Sequence, residues 1–229
     1  FNDGILKKSH VIFTDTDHNL WIRTWGEGLL VVTNDKGNYE SGGELQYKQY
    51  KHIKGSDNCI LDNIIYEIEQ DDISSSLWIG SRSGLTILHR DAAEPSFENY
   101  VPDNNFGGLP FNEGNSILKT KDSAMWIGML GGGVCKAITG DVNIHAEELN
   151  SVRERYQTSS VKSILYDDEE FYWMGIAGYG MIRYNSTDNS FLNYNELPSL
   201  KSLPYTSLVN TIIKRELTGE ICFGTWNNG

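Results

Sequence analysis

One short pattern recurs five times along this chain, and it constrains the fold more than any other feature of the sequence. The five segments are Leu20-Trp21-Ile22-Arg23, Leu77-Trp78-Ile79-Gly80, Met125-Trp126-Ile127-Gly128, Tyr172-Trp173-Met174-Gly175 and Ile221-Cys222-Phe223-Gly224. The anchors at positions 21, 78, 126, 173 and 222 lie 57, 48, 47 and 49 residues apart. A period of about 40 to 50 residues is that of a β-blade repeat. The longer first interval is explained by a polar, glycine-containing insertion from Lys36 to Glu44, expected to form a widened hairpin loop.

The residues around each anchor repeat as well. An apolar run precedes it: Val11-Ile12-Phe13, Ile64 to Ile68, Ile117-Leu118, Val161 to Leu165 and Val209 to Ile213. A polar turn separates that run from the anchor, which reads as strand, hairpin, strand. After the anchor, glycines lead into a third strand such as Leu29 to Val32, Leu85 to Leu88 or Met181 to Tyr184. Leu45 to Tyr50, Phe97 to Tyr100 and Phe191 to Tyr194 read as fourth strands, and Val142 to His145 fills that place in the third unit. Continuous apolar runs such as Leu77-Trp78-Ile79 are expected where both faces of a sheet are covered. The glycine closing each run leaves room for another backbone, and Arg23 departs from that rule. The expected fold is therefore all-β, a β-propeller of four-stranded antiparallel blades. It is present as an incomplete fragment, with blades at about 9–55, 56–105, 106–150 and 151–198 and a half-blade at 199–229.

Composition narrows the partners. A net charge of −12 opposes a phosphate backbone, and no basic stripe interleaved with aromatics occurs, so nucleic acid is not an expected partner. No stretch approaches the roughly 20 apolar residues of a spanning helix, so no membrane insertion is expected within this segment. The chain opens Phe1-Asn2-Asp3-Gly4 without initiator Met or apolar leader, as expected for a piece of a longer protein. Three cysteines, Cys59, Cys135 and Cys222, form no CxxC pair, and Cys135 and Cys222 are expected to be buried thiols within strands.

The Trp-Ile/Met-Gly anchor, the Gly-Leu-like strand after it and the Asp-containing turn before it resemble the two-component regulator propeller repeat. The resemblance covers nearly the whole chain. It departs at Arg23 and at Cys222-Phe223, and no kinase, receiver or membrane span accompanies it. It implies the periplasmic, ligand-sensing part of a hybrid histidine kinase, binding an oligosaccharide fragment and pairing as a homodimer through the parent receptor. A propeller lyase resembling the streptogramin lyases and a protein-interaction scaffold are the alternatives. The lyase reading wants a His and an acid at matching inner positions, and none of the five histidines occupies one. The segment is accordingly expected to have no catalytic activity.

Local motifs add no chemistry of their own. Asp15-Thr16-Asp17-His18-Asn19 opens like a calcium loop but carries Leu20 and Gly26 where such a loop needs Gly and Glu, so a polar hairpin turn is expected. Asp71-Asp72, Lys121-Asp122 and Asp167-Asp168 occupy the same repeat location. No histidine spacing suits zinc, no nucleotide fingerprint occurs, and neither metal nor cofactor is expected. Gly131-Gly132-Gly133 reads as a tight strand connection, and Glu147-Glu148 and Asp167 to Glu170 as solvated acidic loops.

Ligand contacts are expected on one face, where the loop between second and third strands meets the loop entering the innermost strand. The first set supplies Arg23, Trp25, Glu27, Arg82, Tyr179, Trp226 and Asn227. The entry loops supply Asp62, Asn63, Asn112, Glu113, Asn115, Gln157 and Tyr205. Aromatic rings stack on the apolar face of a sugar, while Arg, amides and carboxylates bond its hydroxyls.

Overall fold

The computed structural model describes residues 9–33, 47–90, 94–102, 109, 113–121, 124–138, 147–148, 154–156, 160–167, 170–194 and 208–226. The chain divides into two compact units, Phe1–Val101 and Pro102–Gly229. Among the described residues, apart from one helical turn at 154–156, the strands are paired antiparallel.

In the first unit, β1 (Ser9–Thr14), β2 (Leu20–Thr24), β3 (Leu29–Val32) and β4 (Tyr47–Tyr50) form one sheet in chain order. β5 (Ile65–Gln70), β6 (Leu77–Ser81), β7 (Gly84–His89) and β8 (Ser96–Tyr100) form a second. In the second unit the third sheet holds β9 (Gly114–Lys119), β10 (Ala124–Met129), β11 (Gly133–Ile138) and β12 (Glu147–Glu148). The fourth holds β13 (Val161–Tyr166), β14 (Phe171–Ile176), β15 (Gly180–Asn185) and β16 (Phe191–Asn193). A two-stranded sheet, β17 (Val209–Lys214) with β18 (Ile221–Thr225), follows. These sheets are propeller blades: four short antiparallel strands per repeat, with the anchor on each second strand.

The second strands of the four-stranded blades are largely covered on both faces. β6 and β10 are buried along their whole length, as their uninterrupted apolar sequences require. Alternation divides their side chains between two interfaces. Trp21, Leu29 and Val31 of blade 1 pack with Ile65, Ile68, Leu77, Ile79 and Leu88 of blade 2, while Ile22, Leu30 and Val32 turn to the opposite face. Trp126 and Val134 of blade 3 pack with Val161, Tyr172, Met174, Ile182 and Tyr184 of blade 4. Trp173 and Met181 meet Val209 and Ile212 of the half-blade.

Each innermost strand carries a bulge at the same place. Two residues of the first strand face one of the second between Ser9 and Val11, Ile65 and Glu67, Gly114 and Ser116, Val161 and Ser163, and Val209 and Thr211. The extra residues are His10, Tyr66, Asn115, Lys162 and Asn210. A bulge re-aims a side chain and sharpens the local twist. Each lies at the end of its strand that follows the entry loop.

Two expectations require correction. Val142 to His145 lies outside the described residues, and among those that are described one short strand takes the fourth place in blade 3. It is Glu147–Glu148, the pair expected to be a solvated acidic loop, and Cys135 and Lys136 pair with it. Outermost strands are partly exposed, as the patterns of β4 and β8 show, so their sequences carry little apolar signature. Cys222 is exposed, whereas Cys135 and Cys59 are buried. On β18 the packed side chains are Ile221 and Phe223, and alternation turns Cys222 to the other face. The insertion from Lys36 to Glu44 lies outside the described residues.

Candidate functional site

The turn before each anchor is structural, as its composition suggested. Asp15 Oδ1 accepts the backbone N–H groups of Asp17 (3.0 Å) and Asn19 (2.8 Å), and its Oδ2 accepts Trp21 Nε1 (2.8 Å) and the Arg90 guanidinium. Burial alone would raise the Asp15 pKa, but the bonds from Trp21 and Asn19 and the charge of Arg90 outweigh it and hold the carboxyl below its ordinary range. Asp167 accepts Trp173 Nε1 at 2.7 Å in blade 4. Asp71 turns its carboxylate on the N–H groups of Ile73 and Ser74 and on the Ser74 hydroxyl.

At the other end of the strands, the first unit brings its predicted residues together. Trp25 forms an isolated antiparallel bridge with Ile64, and the N–H groups of Gly26 and Gly28 both donate to Asn63 O at 2.9 Å. This stacking of loop on loop needs glycine at position 28: φ is +78°, and a Cβ there would stand 2.2 Å from Tyr50 O. Arg82 N donates to Ile64 O, and Arg82 Nε to Asp62 Oδ2 at 3.2 Å. Ser83 Oγ donates to the same oxygen at 2.7 Å, while Ile64 N donates to Asp62 Oδ1. Burial acts to raise the Asp62 pKa, and the Ser83 and Ile64 bonds together with Arg82 lower it below its ordinary value. Asn63 Oδ1 accepts His52 N at 2.9 Å. The half-exposed ring of Trp25 lies 5.8 Å from that of Tyr66, the bulged residue of β5.

Glu27 and Arg23 take different places. Glu27 pairs with Lys51 at 2.9 Å and its backbone oxygen accepts Gln49 Nε2. Arg23 is not in the loop: it stands within β2, mostly buried, with its guanidinium 3.2 Å from Glu67 of β5. Where other blades carry glycine, this arginine fills the space between sheets.

The second unit repeats the loop geometry with other side chains. Leu130 N donates to Glu113 O, Ala177 N to Ser160 O, and Trp226 N to Leu208 O. Gly131 N donates to Ser160 Oγ at 3.1 Å. Asn115, the bulged residue of β9, reaches Lys162 O at 3.3 Å. Burial lowers the pKa of Lys162, the equivalent residue of β13, and the charge of Glu113 opposes that shift. Tyr179 meets Tyr156 edge to face at 5.0 Å, and Trp226 is exposed. Asn112, Gln157, Tyr205 and Asn227 lie outside the described residues. Tyr66, Lys162 and Glu67 were not anticipated, because the bulge that aims Tyr66 and Lys162 leaves no mark in an apolar strand sequence. Among the described residues, no group of three His, Cys, Asp or Glu side chains is placed to hold a metal.

No protein-family model and no curated protein matches the sequence. Solved structures do match. The extracellular domain of the hybrid two-component system BT4673 from B. thetaiotaomicron superposes with a TM-score of 0.70 at 17% identity, over 95% of this chain and 26% of that one. The corresponding domain of BT3049 from the same organism gives 0.64 at 17% identity, over 96% and 32%. PorZ, a surface component of the type-IX secretion system of Porphyromonas gingivalis, gives 0.68 at 11% identity, over 96% and 31%. The chain spans about a quarter to a third of the length of these structures. The likeness is one of fold, and the fold it shares with them is that of stacked four-stranded antiparallel blades.

Proposed function

We infer that the chain is part of the extracytoplasmic ligand-sensing region of a two-component regulator, and that it binds a glycan fragment through the face formed by the Trp25 and Arg82 loops. The observation that supports this most is the likeness over nearly the whole chain to extracellular domains of two hybrid two-component systems. The loop face suits the ligand class. Trp25 and Tyr66 present ring surface, and the exposed Arg82 guanidinium, held by the buried Asp62 carboxylate, presents donors. A sensor of this kind binds without turnover and signals by favouring one arrangement of the receptor over another. A periplasmic location and pairing through the parent receptor follow from the same reading.

The test is calorimetry on the parent ectodomain against a panel of oligosaccharides. Trp25→Ala and Arg82→Ala are each expected to weaken the glycan that binds by about 1–3 kcal/mol without unfolding the protein. Unchanged affinity in both variants would remove this face from consideration, and hydrolysis or elimination of the ligand would replace the sensor reading with an enzyme.

A further inference from the structure

On the loop face of the first unit, Arg82 is tied down at two points. Its backbone N–H donates to Ile64 O at 3.2 Å, and its Nε donates to Asp62 Oδ2 at 3.2 Å. The Asp62 carboxylate is buried and its other bonds point inward: Ser83 Oγ donates to Oδ2 at 2.7 Å and Ile64 N to Oδ1 at 2.9 Å. Asp62 thus grips the guanidinium at Nε and leaves its far end alone. The Arg82 side chain is 56% exposed against 9% for Asp62, and among the described residues neither Nη1 nor Nη2 has an acceptor. A planar guanidinium held at Nε turns the parallel N–H groups of Nη1 and Nη2 away from the grip, as a fork of two donors.

Ring surface stands beside that fork. Trp25 forms its bridge with Ile64, the residue whose carbonyl accepts Arg82 N, so the half-exposed indole and the guanidinium flank the same point of the chain. Such a pair suits a molecule with an apolar face and, at one edge, two coplanar acceptor oxygens. The hydroxyls of a neutral sugar are spread around its ring, and each of them donates as well as accepts. A carboxylate at the ring's edge accepts only, and its two oxygens match the spacing of the fork. The net charge of −12 gives an acid no long-range attraction, so its recognition has to come from this contact.

We propose that the ligand of this face is an acidic sugar, a uronic acid whose carboxylate takes the far end of the Arg82 guanidinium while its ring lies against Trp25. The inference rests on the glycan-sensing reading and narrows it to one substrate class. Asp62 and Ile64 order the arginine in the free protein, so binding does not have to fix a long mobile side chain, and the bidentate contact keeps more of its strength.

Calorimetry on the parent ectodomain tests this with the methyl glycosides of glucuronate and galacturonate, their neutral counterparts methyl glucoside and methyl galactoside, and glucose 6-sulfate as a tetrahedral anion. At least one uronide is expected to bind about tenfold more tightly than its neutral counterpart. Arg82→Ala is expected to remove that margin and leave the neutral sugar within about twofold of its original affinity. Arg82→Lys keeps the charge without the fork and should lose most of the margin as well, whereas Trp25→Ala should weaken acidic and neutral sugars alike. A neutral sugar that binds as tightly as its uronide, tighter binding of the sulfate, or a full margin in Arg82→Lys would each overturn the acidic assignment and leave the glycan reading in place. No saturable binding of either uronide would also overturn it. Unchanged affinities in both Trp25→Ala and Arg82→Ala would take away the face, and the glycan reading of it along with the acid.

Discussion

The seam between blades 1 and 2 carries buried polar bonds beside its apolar and ring contacts, whereas the seam between blades 3 and 4 sets Trp126 against a run of rings on blade 4. In the first seam Gln70 exchanges two bonds of 2.9 Å with Thr16, Arg90 reaches Asp15, and Arg23 pairs with Glu67. In the second, Trp126, Tyr172, Tyr166 and Tyr184 form a run of ring contacts, and Phe191 and Tyr156 extend it. The innermost strands differ in step. β9 and β13, and β13 and β17, run side by side, while in the first unit the approach is between β2 and β5. Gly128 and Gly175 permit the close spacing; Arg23 occupies the equivalent position and keeps its neighbour away. The repeat thus dictates the blade, while single residues on the second strand decide how near the next blade comes.

The largest expected effect tests that spacing. A Cβ at Gly175 would stand 2.3 Å from Val209 O and 2.6 Å from Ser163 Oγ, so backbone must move to admit it. Gly175→Val is expected to destabilise by about 3 kcal/mol in urea unfolding, the upper end of overpacking costs. A cost as small as that of a surface substitution would show that something other than glycine brings β14 and β17 together.

The polar seam should respond to charge and to pH. Arg90→Ala leaves the fully buried Asp15 carboxylate with its Trp21 and Asn19 bonds but without its cation, at an expected cost of about 2 kcal/mol. The folded-state pKa of Asp15 lies below its ordinary value of 3.8, so the stability it contributes is full above that value and is lost as pH falls through the folded pKa. Removing Arg90 raises the folded pKa and moves the onset of that loss to higher pH. Unfolding free energies measured across the acid range check both statements, and Asp15→Asn should flatten the dependence.

Most of the blade was legible in the sequence because it is written in repeated hydrophobicity. β2, β6, β10 and β14 follow from apolar runs anchored on Trp followed by Ile or Met, buried on both faces. The outer strands were less legible: β12 falls on Glu147–Glu148 because an edge strand needs backbone partners more than apolar side chains. Site residues in loops were placed by repeat phase, and in the first unit Asp62 and Arg82 are bonded while Asn63 O accepts the Gly26 and Gly28 N–H groups. Arg23 was marked by its departure from the repeat, but phase alone does not separate a loop residue from a wedge between sheets. The bulged Tyr66 and Lys162, and the partnership of each indole with an acid six residues earlier, depend on backbone geometry that periodicity does not carry.

That partnership gives the next prediction. Trp173→Phe removes a donor from the Asp167 carboxylate, whereas Trp126→Phe removes an N–H that has no acceptor. Both lose the same ring area, so the comparison isolates the hydrogen bond. Trp173→Phe is expected to cost about 1 kcal/mol more than Trp126→Phe, and equal costs in thermal or urea unfolding would mean that the indole bond contributes nothing net.

The smallest effect is expected from an ion pair that resembles Arg90–Asp15 in charge and not in surroundings. Lys51 Nζ stands 2.9 Å from Glu27 Oε2, with side chains 46% and 26% exposed, against 15% and 0% for Arg90 and Asp15. Water already solvates both groups of the exposed pair, so breaking it strands no charge in a low-dielectric setting, and ordering the long lysine chain offsets much of the Coulomb gain. Lys51→Ala should therefore change unfolding free energy by no more than about 0.5 kcal/mol, and added salt should shrink the change further. A loss matching that of Arg90→Ala would mean that burial is not what separates the two pairs, and that the polar seam owes none of its strength to the exclusion of water.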